Sequence, residues 1–149
     1  LGLNRVERVR EVKDLVKVPV EDIDGIWEFC EPLLSNALDH SEGFYDMDDL
    51  YLSLKHQWQE LWIIVGDKPD AVFTTRIVDY PNKKIMEIPF VGASKEATPT
   101  DWRECLEKLE EWGKGEGAEG TVFFARMGWK KLFPDFDLQY TVMMKDYEV

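Results

Sequence analysis

Histidine, cysteine and positive charge are all scarce in this chain of 149 residues. It holds 2 His, 2 Cys and 18 Lys and Arg against 30 Asp and Glu, for a formal charge of −12. Cys30 and Cys105 have no metal-ligand spacing, and no EF-hand loop, nucleophile elbow or Walker loop is present, so the common metal and nucleotide motifs are excluded. The few cations are scattered rather than gathered into a stripe, which argues against any nucleic-acid partner. No apolar run approaches the length of a membrane span, so no membrane partner is expected. Leu1 to Arg10 carries four charges and lacks the apolar centre of a signal sequence. Both cysteines lie in amphipathic stretches and read as small core residues of a reduced, intracellular protein, with the cytoplasm as the expected location.

What the chain does have is core material. Apolar residues make up 44% of it, with 6 Trp, 5 Tyr and 8 Phe, so the acidic surplus decorates a folded body rather than a disordered tail. The length fits one domain, read as residues 10–149 behind a tail of residues 1–9, with no repeat or linker.

The order of elements follows from periodicity and punctuation. Arg10 to Val18 reads as a first strand, and Ile23, Ile26, Trp27, Cys30, Leu33, Leu34, Ala37 and Leu38 make one face of a helix that Pro32 should end or kink. Asp46 can cap a second helix whose Met47, Leu50, Leu54, Trp58 and Leu61 share a face. Leu61 to Val65, Ala71 to Val78 and Ile85 to Val91 then form an antiparallel meander with turns at 66–70 and 79–83, and Pro89 marks a bulge or break in its third strand. Thr98-Pro99-Thr100-Asp101 starts a third helix that ends at Gly113 to Gly117. A strand Thr121 to Ala125, a short helix stopped by Pro134 and a last strand Leu138 to Met144 complete the chain. The crossover helix places Ile85 to Val91 parallel to Thr121 to Ala125 in an otherwise antiparallel sheet, with helices on both faces.

This α/β (α+β) order, β-α-α-β-β-β-α-β-α-β, resembles the GNAT superfamily of acyl-CoA-dependent N-acyltransferases over nearly the whole chain. The closing segment Arg126-Met127-Gly128-Trp129-Lys130-Lys131-Leu132, followed by Phe136 and a final strand, is similar to the ending of small divergent members, several of them from bacteriophages. The resemblance implies that the strands Ile85 to Val91 and Thr121 to Ala125 splay apart to admit the pantetheine of an acyl-CoA, with acetyl-CoA the expected donor. It places the pyrophosphate on amides between Gly92 and Trp102. Phe90, Val91, Gly92, Ala93, Ser94, Lys95, Thr100 and Arg126 are the implied cofactor-binding residues. Gly92 matches one glycine of the family's phosphate loop, and free amides at a helix start attract anions. An ordinary strand-to-helix connection is the plainer reading of the same loop.

Acyl transfer to an amine requires a group that takes a proton from the ammonium and one that protonates the departing thiolate. The resemblance implies Glu87 for the first task, with an outward-facing charge on an alternating strand as the alternative. The family's usual Tyr is missing from Trp129 to Phe133, which leaves Tyr140 as the candidate acid or else a half-buried strand residue. Arg126 holds a phosphate or forms a salt bridge, His40 and His56 read as exposed, and Asp46, Asp48 and Asp49 read first as a helix cap. The expected partner is an amine on a small molecule, a protein N-terminus or a lysine, and a homodimer is also considered. The alternative is a noncatalytic relative that acts with virion proteins of a bacteriophage.

Overall fold

The computed structural model describes residues 14–39, 41, 43–65, 70–94, 99–124, 134–137 and 143–148. β1 (Asp14–Lys17) leads through a short 3-10 turn at Val20–Asp22 into α1 (Ile23–Asp39) and α2 (Met47–Lys55). The strands β2 (Glu60–Val65), β3 (Ala71–Asp79), β4 (Lys84–Ile88) and β5 (Val91–Ala93) follow, then α3 (Pro99–Gly115) and β6 (Gly120–Phe123). The sheet order is β1-β2-β3-β4-β6, with β5 also on β3. All pairings are antiparallel except β4 with β6, which is parallel as the crossover through α3 requires.

The sheet is sandwiched. Leu61, Ile63, Val72 and Phe90 point to one face and pack with Cys30, Leu34, Leu38, Leu50 and Leu54 of α1 and α2. Trp62, Ile64, Phe73, Met86 and Ile88 point to the other and pack with Trp102, Cys105, Leu106 and Leu109 of α3. Burial on both faces explains the unbroken apolar run at 61–65. Both cysteines are buried thiols, and burial pushes the Cys30 thiol up to about 11, so it is a core residue rather than a nucleophile. No helix among the described residues is long and apolar enough to cross a membrane.

Two expectations change. α1 continues past Pro32 instead of ending there. Pro32 and Glu28, whose carbonyl loses its intrahelical donor, both lie on the solvent side, where water takes that carbonyl, while the buried stripe of Cys30, Leu34 and Leu38 holds the helix. α2 stops at Lys55 because the chain turns at Gln57, in the left-handed region at φ 59°. Trp58 is therefore exposed and Leu61 belongs to β2. The third strand of the meander breaks as expected at Pro89, into β4 and β5 separated at Pro89-Phe90. The short helix at 126–133 and Leu138 to Val142 of the last strand lie outside the described residues. Met143 and Met144, also assigned to that strand, carry no regular secondary structure.

The acidic triplet is a cap. The Asp46 carboxylate accepts the Asp49 N–H at 2.8 Å and the Asp49 carboxylate accepts the Asp46 N–H at 3.1 Å, a reciprocal capping box. Asp46→Ala is expected to cost about 1 kcal/mol, read as a fall of ~2–4 °C in melting temperature. An unchanged melting curve would assign the aspartates another task.

Candidate functional site

The bulge at Pro89 builds a fork in the sheet. Arg76 pairs with Glu87, and Phe73 pairs with Val91. β3 thus advances by one residue fewer than its partner, so one extra residue is accommodated around Pro89. Before the bulge, β4 is held on both sides, by β3 and by β6, the last parallel pair being Ile88 with Phe123. A long Phe124 N–H to Ile88 carbonyl bond of 3.4 Å closes that ladder. Beyond it β5 stays on β3, and no described strand pairs with its other edge.

Hydrogen-bond alternation shows which groups face the fork. Phe90 accepts the Thr74 N–H at 2.9 Å and donates its own N–H to Thr74 Oγ1 at 3.1 Å, and Ser94 donates to the Asp70 carbonyl at 2.8 Å. Phe90, Gly92 and Ser94 therefore turn their backbone groups to β3, which directs those of Val91 and Ala93 to the opposite edge. The Phe90 ring is buried in the α1 and α2 layer, edge-on to Tyr45 at 5.3 Å, and Phe123 packs against the α3 layer.

Glu87 lies on the α1 and α2 face of β4, one residue before Ile88, and is 2% exposed. This overturns the outward-facing surface charge. Its Oε2 accepts from Arg76 Nη2 at 3.0 Å and Nε at 3.2 Å, and its Oε1 accepts from the Tyr80 hydroxyl at 3.0 Å. Burial disfavours the Arg76 charge, but the hydrogen bonds and attraction of Glu87, joined by Tyr45, outweigh that and raise the guanidinium above its ordinary value. Two segments thus converge on the carboxylate, β3 with Arg76 and the β3–β4 turn with Tyr80, and the loop before α2 brings Tyr45 to Arg76. Sequence reasoning named Glu87 but missed these partners. Counting the register back through the turn at 79–83 would have set Arg76 opposite Glu87.

The other candidates fall in several places. Val91 and Ala93 line the fork edge. Gly92 is buried beneath α1, where a Cβ would stand 1.9 Å from the Leu33 carbonyl oxygen, so helix packing alone demands glycine there. Ser94 Oγ is buried with no hydrogen-bond partner among the described residues. The backbone of Thr100 lies in the first turn of α3. Lys95, Arg126 and Tyr140, like His40 and Trp129, lie outside the described residues. His56 is exposed and stacked on Trp58 at 4.7 Å. No group of residues that could hold a metal ion occurs among the described residues.

No family model and no curated protein matches the chain. Solved structures do. An aminoglycoside acetyltransferase from an uncultured soil metagenomic sample, solved in complex with sisomicin, matches with a TM-score of 0.70 at 9% identity, over 94% of this chain and 99% of its own. A predicted acetyltransferase from Clostridium acetobutylicum, solved with acetyl-CoA, gives 0.64 at 14% identity, over 91% and 95%. A GCN5-related N-acetyltransferase from Ralstonia eutropha gives 0.63 at 13%, over 91% and 97%. Identities this low speak for the fold alone. The architecture is GNAT-like, a mostly antiparallel sheet between helices with one parallel pair at its fork.

Proposed function

We propose that this protein transfers an acyl group, acetyl first, from an acyl-CoA to an amine. The observation that carries the reading is the fork: outward-turned backbone groups at Val91 and Ala93, beyond the last β4–β6 bond, beside a buried carboxylate at Glu87. The residues present fit a CoA thioester. An extended chain bearing amides can pair with the edge of β5 as a strand would. The orphaned Ser94 hydroxyl stands where the chain leaves β5 for α3, and a buried hydroxyl without a partner is costly unless something bonds it. Among the remaining candidates, the start of α3 at Thr100, with Lys95 and Arg126, would take the pyrophosphate.

When bound, acetyl-CoA supplies an activated carbonyl. The chain supplies the geometry and the proton acceptor: Glu87 takes a proton from the ammonium, directly or through one water, so that the amine attacks as a neutral nucleophile. Tyr140 is the candidate donor to the leaving thiolate. The formal charge of −12 favours a cationic acceptor, in line with the aminoglycoside neighbour. None of the solved structures named above is a virion protein, and no observation favours a noncatalytic virion role.

Calorimetry with acetyl-CoA tests the reading directly. Saturable binding to a single site is expected, and it should be weakened by Ala93→Pro, which removes an outward-turned N–H from the fork edge. Silence at millimolar acetyl-CoA would end the acyl-transfer interpretation.

A further inference from the structure

The contacts around Glu87 are unequal, and the inequality carries chemical information. One oxygen, Oε2, is held by two guanidinium N–H bonds, while Oε1 accepts from a single phenol. Arg76 cannot give up or relay a proton at any ordinary pH, so Oε2 is fixed as a charged acceptor. Tyr80 differs: its hydroxyl can both donate and accept, and the residue is 52% exposed where Glu87 is 2% exposed.

We propose that Tyr80 is the proton outlet of Glu87 and that Arg76 is the positioning residue that reserves Oε1 for that exchange. The inference rests on the acyl-transfer reading. When an N–H bond of the ammonium breaks, an O–H bond forms on Glu87 and the amine becomes neutral. The proton on Oε1 then passes to the Tyr80 oxygen as the proton of Tyr80 passes to water, which restores the carboxylate and the phenol and releases one hydronium. Without such an outlet the proton on Glu87, which is 2% exposed, would have no path of its own to water, and the next ammonium would meet no base. A structural brace needs neither an exposed phenol nor a second oxygen kept clear of the guanidinium.

The two roles predict opposite orders of activity. Tyr80→Phe keeps the ring over Glu87 but removes the relay, so thiol release from acetyl-CoA with spermidine or sisomicin should slow by roughly 10-fold. Acetyl-CoA affinity and the KM for the amine should stay unchanged. Tyr80→Ala removes the ring as well and admits water to Oε1, so it should turn over faster than Tyr80→Phe despite lower thermal stability. A mere brace gives the reverse order, because alanine loses more packing than phenylalanine. Alanine slower than phenylalanine, or phenylalanine equal to the unaltered protein, overturns the relay while leaving acyl transfer standing. Failure of the unaltered protein to bind acetyl-CoA, or binding without thiol release from either amine, overturns the transfer reading and the relay with it.

Discussion

Gly92→Ala is expected to destabilise the protein by about 3 kcal/mol, a fall of ~6–12 °C in melting temperature. The cause is local and unyielding. The new Cβ would lie 1.9 Å from the Leu33 carbonyl oxygen, 2.5 Å from its carbon and 3.1 Å from the Leu34 nitrogen. These are atoms of the α1 backbone, not the end of a flexible side chain, so the helix as a whole must back away from β5. α1 is anchored by Cys30 and Leu34, both fully buried, and its retreat would open the core along its length. Gly25 in the same helix is the control, because nothing lies within 4 Å of its added Cβ. Gly25→Ala should stabilise by about 0.5–1 kcal/mol through helix propensity. Opposite signs at two glycines, read by thermal denaturation, would establish that α1 is seated directly on β5. Equal melting temperatures for Gly92→Ala and the unaltered protein would remove that seat, and with it the account of how β5 is held at the fork.

Local physics made much of this architecture legible in the sequence. Apolar runs and turn residues located β2, β3 and β4, Pro89 announced the bulge, and Thr98-Pro99-Thr100-Asp101 announced α3. The parallel pairing of β4 with β6 followed from the crossover alone. The misreadings share one origin, tertiary contacts that override a local signal. Pro32 is tolerated because its lost hydrogen bond faces water and the opposite face of α1 is buried. The packing demand on Gly92 went unseen because nothing in its neighbourhood reveals that Leu33, nearly sixty residues earlier, lies against it. Glu87 was chosen as a functional carboxylate, yet its setting depends on Arg76, Tyr80 and Tyr45 from three segments. Only the Arg76 pairing could have been counted from the hairpin register.

Arg76→Met should cost about 2–3 kcal/mol, at or just below the low end of the range for breaking a buried ion pair. The discount follows from the geometry: the Glu87 side chain is 3% exposed, but that of Arg76 is 34% exposed, so water already shares in solvating the cation. The loss arises from the partner left behind. Without Arg76, the Glu87 carboxylate keeps one hydrogen bond, from Tyr80, in a site that admits almost no water. Glu87→Met should cost less, since the guanidinium it strands is one-third exposed and retains Tyr45 as a neighbour. The double variant Arg76→Met/Glu87→Met should recover most of the stability, because apolar residues of similar volume commonly replace a buried pair without penalty. Urea denaturation of the four proteins measures the coupling. Strictly additive losses would mean that the pair is not one energetic unit. Recovery carries a functional corollary. If two methionines hold this part of the sheet as well as the ion pair does, the fold does not require Arg76 and Glu87, and their place beside the fork needs a chemical reason. The recovered double variant should then still bind acetyl-CoA and fail to release thiol with any amine.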